Sequence, residues 1–376
     1  MNIAKAWAAQ LDDYVIDLAW SPDGRLLGTA SAAGLITLFE GADGTKRHVL
    51  PGHADGTNAI AFAPALQKPE AGRQMPETSA LASDLWPLAS GLLASGGQDS
   101  CVRFWDSATG AQITENRPGT AWIEHLAWRP ALSNLTSGIS DANLLAAASG
   151  RRLVLLRADG SVVHTFPDAP KTLSALAWAP HGGPIAVAWF GGVCLWDAGD
   201  FHAQREYAYG SAIHLLIWSP DGRWLVAGAQ DNAVHLWRPA EEEEFHMSGY
   251  ETKVRELSFS SDSRWLATGG ARDACVWDCS GAGPEGREPA ALPHADRVCA
   301  VAFQHVPGLL ATAANDSAVA LWSLSRSEPL AASVKLTAPA SRLAWSPDDT
   351  RLAIGSQKGG VLVLKVEGGE TLIQKP

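Results

Sequence analysis

Long apolar runs are missing from this chain of 376 residues: nowhere do about 18 apolar residues follow one another, so no segment reads as a bilayer-spanning helix. The opening residues, MNIAKAWAAQLDDY, lack the apolar core and small-residue ending of a secretory leader. No amphipathic helix suggests attachment to a membrane surface. We therefore expect a soluble protein, made and kept in the cytoplasm, with no membrane partner. Cysteine is scarce: Cys101, Cys194, Cys275, Cys279 and Cys299 show no paired-motif spacing, and an odd count suits reduced thiols better than a disulfide framework. Cys194 and Cys275 each stand two residues before a Trp-Asp pair and read as small buried strand residues. The 11 His are dispersed without the spacings of zinc sites, so no metal is expected. Basic charge is short as well. A formal net charge of -11 argues against a general grip on nucleic acid, which needs Lys and Arg to neutralise phosphates. No Gly-rich loop sits between a strand and a helix to cradle a phosphate, and no cofactor is expected.

What is abundant points the other way. Hydrophobic residues make up 46% of the chain against 18% charged, with 36 Gly and 22 Pro, a composition suited to many short strands joined by tight turns. Sixteen Trp are present, and their positions matter more than their number. Eight segments align on one aromatic anchor: DLAWSPDG, AIAFAP, HLAWRP, ALAWAP, LLIWSPDG, ELSFSSD, AVAFQH and RLAWSPDD. Their anchors are Trp20, Phe62, Trp128, Trp178, Trp218, Phe259, Phe303 and Trp345, most of them 40 to 44 residues apart. That period marks a propeller, in which each repeat is a small sheet unable to bury its faces without neighbours. After each anchor come a turn, a strand of small residues such as LLASGG or LLATAA, another turn, a strand that usually closes on an aromatic, and a looser fourth strand.

On these residues the chain resembles the WD-repeat family, from about Asn2 to Val366. The resemblance implies a hydrogen-bonded set inside a blade, made of a His before the first strand, a Ser or Thr on the second, an Asp in the next turn and a Trp on the third. Two repeats carry all four residues: His53, Ser95, Asp99 and Trp105, then His294, Thr312, Asp316 and Trp322. Ser, His and Asp are also the residue types of a hydrolytic triad. A hydroxyl locked between His and Trp, with no oxyanion site indicated, reads instead as internal bracing, and no catalytic residue is assigned. Elsewhere the pattern thins. Tyr250 stands at the His position of the sixth repeat, and Ala227 replaces the hydroxyl residue in the repeat of Asp231 and Trp237.

The expected architecture is all-β: a closed β-propeller of eight four-stranded antiparallel blades forming one domain over residues 1–376, with seven blades as the alternative if the third repeat is something else. The last repeat has only three strands, and NIAKAWAAQ at the N-terminus can supply the fourth, which removes an exposed edge. Two insertions, 65–90 and 131–141, fall between first and second strands, which the resemblance to the family puts on the wide face; Leu85 and Trp86 in the larger one are candidates for docking a partner. Turns between second and third strands and the starts of first strands share the narrow face. Those positions hold Tyr14, Trp122, Arg151, Arg152, Trp189, Phe190, Lys253, Arg272, Arg297 and Lys358, an aromatic and basic rim, while Glu241 to Glu244 lie on the opposite face.

The function read from this pattern is a non-enzymatic scaffold, a monomer on its own or a subunit of a larger complex, that binds a protein or an acidic or phosphorylated peptide. The alternatives are a propeller hydrolase with a metal in the central channel, for which Asp17, Glu124, His125 and His214 are the inward candidates, and an accessory protein for metal handling.

Overall fold

Each repeat folds as an antiparallel meander because its apolar residues alternate along short runs bounded by turn residues, which buries both faces of a sheet between neighbours. In a computed structural model of the protein, residues 1–65, 91–130, 143–306 and 308–367 are described. Eight four-stranded sheets result. Their first strands are Val15–Trp20, Thr57–Phe62, Ile123–Trp128, Leu173–Trp178, Ile213–Trp218, Leu257–Phe259, Val298–Phe303 and Ala340–Trp345, which define blades 1 to 8. Each first strand contacts the first strands of both neighbouring blades, and the cycle closes from blade 8 to blade 1. The third repeat is a regular blade, so the count is eight. No helix occurs among the described residues.

Closure uses the two ends of the chain. Asn2–Gln10 pairs antiparallel with Gly360–Glu367, from Asn2 opposite Glu367 to Gln10 opposite Gly360, and completes blade 8. Trp7 on that strand donates its indole N–H to the Gly41 carbonyl of blade 1 at 3.0 Å and packs on Phe39 with ring centroids 5.4 Å apart. The N-terminal strand thereby joins one blade and buttresses the next.

The anchor tryptophans tie blade to blade. Trp20, Trp128, Trp178, Trp218 and Trp345 each donate the indole N–H to the carbonyl of the residue before the anchor in the preceding blade: Ala344, Ala61, Ala127, Ala177 and Ala302, at 2.8 to 3.4 Å. Alanine at that place lets the bulky ring reach the backbone behind it. Phe cannot donate, and the seams before two of the three Phe anchors have substitutes: Ile60 N–H reaches Asp17 Oδ2 and Phe303 N–H reaches Ser258 Oγ, both at 3.0 Å.

In blades 1, 5, 6 and 8 the stretches SPDG, SPDG, SSDS and SPDD form the turns after the first strands. Ser21, Ser219, Ser260 and Ser346 each donate to the Asp two residues on and accept the backbone N–H five residues on. The fourth turn residue is left-handed, with φ of 68° at Gly24 and 73° at Gly222. Asp349 occupies the same place at φ 55°, and its carboxylate accepts His305 N–H, His305 Nδ1 and Val306 N–H from blade 7 at 2.8 to 3.0 Å. Those bonds offset the backbone cost and close another seam.

Candidate interaction face

In blade 2, His53 Nδ1 lies 2.8 Å from Asp99 Oδ1, His53 Nε2 lies 2.8 Å from Ser95 Oγ, and Trp105 donates to the same Oγ at 2.8 Å. Burial holds the His53 pKa below its usual value against the pull of Asp99, so the imidazole is neutral. This assigns its tautomer: Nδ1–H donates to Asp99, and Nε2 accepts the Ser95 proton. Partial burial alone would raise the Asp99 carboxyl, but bonds from His53 and Arg103 bring it below the usual carboxylate range. Ser95 has 0% exposure, so its oxygen can meet no substrate. Arg103, which sequence reasoning passed over, joins the set by donating to Asp99 Oδ2 at 2.7 Å and to the Gly52 carbonyl at 2.9 Å.

The other blades vary this arrangement. His294 Nε2 and Trp322 Nε1 both lie 2.7 Å from Thr312 Oγ1. Asp316 instead accepts Ala318 N–H at 2.8 Å, and no His294–Asp316 hydrogen bond forms. In blade 6 the Tyr250 hydroxyl does the work of imidazole, accepting from Trp277 at 2.9 Å and meeting Thr268 Oγ1 at 3.0 Å. In blade 5 Tyr209 bonds Asp231 at 2.9 Å, but with Ala227 in place of a hydroxyl the buried Trp237 indole N–H has no partner among the described residues. These bracing residues all lie next to the narrow face. There the residue nine before the anchor donates its backbone N–H to the second turn of the preceding blade, as His53 does to Gly34, Ala169 to Arg151 and Tyr209 to Gly191.

The inward candidates do not converge. Asp17 is consumed by backbone, accepting Leu18 N–H and Ile60 N–H at 3.0 Å, and its burial raises its pKa. His214 Nε2 meets Gln230 Oε1 at 2.8 Å, Glu124 is exposed, and burial pushes His125 down to about 4. Among the described residues no group of three or more His, Cys, Asp or Glu could hold a metal ion.

At the narrow rim, Trp122 is 52% and Phe190 59% exposed, and Arg151, Arg152, Arg272, Arg297 and Lys358 are exposed. Tyr14 and Lys253 are half-buried. Trp189 is only 9% exposed, because it packs into the apolar cluster of Leu173, Val187 and Cys194. Arg151 Nε donates to the Ala169 carbonyl at 2.6 Å, and Arg152 Nε pairs with Asp168 at 3.2 Å. The acidic run opposite is not a free patch. Glu241 pairs with Arg223, Glu242 with Arg205, Glu243 with Arg238 and Glu244 with His235. Leu85 and Trp86 lie outside the described residues, as does nearly all of both insertions.

Comparison with known proteins bears on the same repeats. The family model described as WD domain, G-beta repeat matches residues 78–106, 207–238 and 242–278. The chain is similar to WD repeat-containing protein slp1 of Schizosaccharomyces pombe, 26% identical over 254 residues, covering 60% of this chain and 50% of that protein. It is similar to anaphase-promoting complex subunit cdc20 of Dictyostelium discoideum, 25% identical over 265 residues, covering 62% and 50%. A third relative is the Protein SEC13 homolog of Drosophila melanogaster, 27% identical over 197 residues, covering 48% and 51%. The chain spans about half the length of these curated relatives. Among solved structures, the computationally designed Ika8 protein superposes with a TM-score of 0.72 at 18% identity, over 96% of this chain and 99% of that one, which shows the fold alone.

Proposed function

The chain is a WD-repeat β-propeller, and on that premise we propose that it is a non-enzymatic scaffold whose narrow face holds an acidic or phosphorylated segment of a partner protein. The observation that carries the reading is the exposure of two large aromatics, Trp122 and Phe190, at the narrow-face turns of neighbouring blades, in company with Arg151 and Arg152. A buried core has no use for them there, and aromatic and Arg side chains supply most of the energy of protein interfaces. Relatives such as the anaphase-promoting complex subunit, named for the assembly it joins, favour a role within a complex. Replacing Arg151, Arg152 and Arg272 together by Glu is expected to abolish capture of the native partner while the ring stays folded. Capture at the wild-type level rejects this face.

A further inference from the structure

A cavity of about 210 Å³ opens at the seam between blades 3 and 4. Leu173, Val187, Trp189 and Trp196 form its walls, Cys194 lies among them, and Arg151 and Glu206 stand with them. Its origin is legible in the repeat. The place nine residues before the anchor holds a ring in blades 2, 5, 6 and 7, as His53, Tyr209, Tyr250 and His294, and a leucine in blades 1 and 8, as Leu11 and Leu336. Blades 3 and 4 have Gly119 and Ala169. A Cβ on Gly119 would come within 2.7 Å of Ser149 Oγ, so that place is occupied by a neighbour. At Ala169 nothing replaces the ring. The backbone there is still in register, since Ala169 N–H bonds the Arg151 carbonyl at 2.8 Å just as His53 N–H bonds the Gly34 carbonyl at 3.2 Å. Val187 takes the place of Ser95 and Cys194 that of Arg103, yet Trp196 is kept, and its indole N–H has no hydrogen-bond partner among the described residues.

We propose that this cavity receives the uncharged phenol ring of a tyrosine from a partner segment, which supplies the missing ring from outside and accepts the Trp196 N–H on its hydroxyl. The proposal rests on the scaffold reading for its partner but not for its chemistry. The volume exceeds the roughly 150 Å³ that holds a benzene ring and falls short of the roughly 300 Å³ at which pockets for whole small ligands begin, so one side chain fits. The bond already exists elsewhere in the chain: the Tyr250 hydroxyl accepts the equivalent Trp277 N–H at 2.9 Å. Charge selects a neutral occupant. Glu206 disfavours an entering phosphate or carboxylate and Arg151 an entering ammonium, and neither pairs with an oppositely charged side chain among the described residues.

The test is titration of the full chain with p-cresol, followed by intrinsic tryptophan fluorescence and calorimetry, with toluene, phenyl phosphate and methylammonium as comparators. Saturable p-cresol binding, about five-fold tighter than toluene as one net hydrogen bond requires, is expected, with neither ion competing. Ala169→Tyr fills the site from within, so it should raise the melting temperature and abolish binding. Trp196→Phe should leave binding but erase the preference over toluene. Absence of saturable binding, binding unchanged in Ala169→Tyr, or equal affinity for toluene in the wild type each overturns the proposal. Charge reversal at Arg272 and Arg297, in blades 6 and 7, should not alter p-cresol affinity. Wild-type partner capture by the charge-reversed variant, with p-cresol binding intact, therefore counts against the scaffold reading alone, and lost capture without saturable p-cresol binding in the wild type counts against the cavity alone.

Discussion

Ala227→Ser should stabilise the ring, because blade 5 keeps the tryptophan of the bracing set without the hydroxyl that satisfies it. Trp237 Nε1 is buried with no partner among the described residues, a state that costs about 1–3 kcal/mol. Residue 227 pairs with His235 as Thr29 pairs with Thr37, and Thr29 Oγ1 donates to the Thr37 carbonyl at 3.1 Å. A serine at 227 can donate to the His235 carbonyl in the same way and accept the Trp237 N–H, as Ser95 accepts from Trp105. The net gain should be about 1–2 kcal/mol, since one penalty is removed and one hydroxyl is buried with its bonds made. At roughly 2.1 cal/mol/K of unfolding entropy per residue, that corresponds to about 1–3 °C in melting temperature, and urea titration resolves it better. The reciprocal change, Ser95→Ala, strands Trp105 N–H and His53 Nε2 together and should cost about 2–4 kcal/mol. The Trp237 indole proton should also shift and exchange more slowly in the serine variant. An unchanged indole signal with no gain in stability would refute the hydrogen-bond argument.

Acid should weaken the fold through its histidines. Burial depresses the pKa of His53, His125 and His294, so below the unfolded value of 6.5 the unfolded chain takes up protons that the fold refuses, and stability is lost as pH falls. His125→Gln should flatten the decline between pH 6 and 5 by about 1.4 kcal/mol per pH unit, one proton's worth, measured by urea titration at each pH. Asp349→Gly relieves a left-handed aspartate but removes the carboxylate that holds His305 and Val306; the bonds outweigh the backbone term, and a net loss of about 2 kcal/mol is expected in the same assay. Burial pushes the Cys194, Cys279 and Cys299 thiols up to about 12, so maleimide labelling of these three should track global unfolding rather than thiolate exposure in the native state.

Much of the ring was legible because its signal is periodic. Eight anchors at a near-constant interval count the blades, and NIAKAWAAQ reads as the missing strand because the last repeat is one short. The four-residue sets were legible from spacing, but which members bond was not. His294 and Asp316 have the right separation and still do not meet, whereas Tyr250, a departure from the pattern, makes the bonds through a hydroxyl at a similar reach. The indole-to-carbonyl bonds join residues 41 to 67 apart in four seams and 324 apart at closure, so no local pattern announces them. The recurring Ala before the anchor was the one available hint. The burial of Trp189 at the rim and the ion pairs of Glu241 to Glu244, whose partners come from three other strands or turns, were not legible from the residues alone.

The seams are therefore braced unequally, and the inequality follows one side chain. Where the residue nine before the anchor is His53, its backbone N–H holds the preceding blade at Gly34 and its ring joins Ser95, Asp99, Trp105 and Arg103 in bracing blade 2. Where it is Tyr209, the adjoining Trp237 is left unsatisfied, and where it is Ala169 a cavity remains. Both weak places adjoin blade 4, the blade that also carries exposed Phe190 and lies beside exposed Trp122. Apolar burial between blades is large enough to keep the ring closed without any one polar set, so bracing can be dropped locally without loss of fold. The departures at Ala169 and Ala227 flank the blade that exposes Phe190 and lies beside Trp122, and on the scaffold reading proposed above an outside surface completes them there.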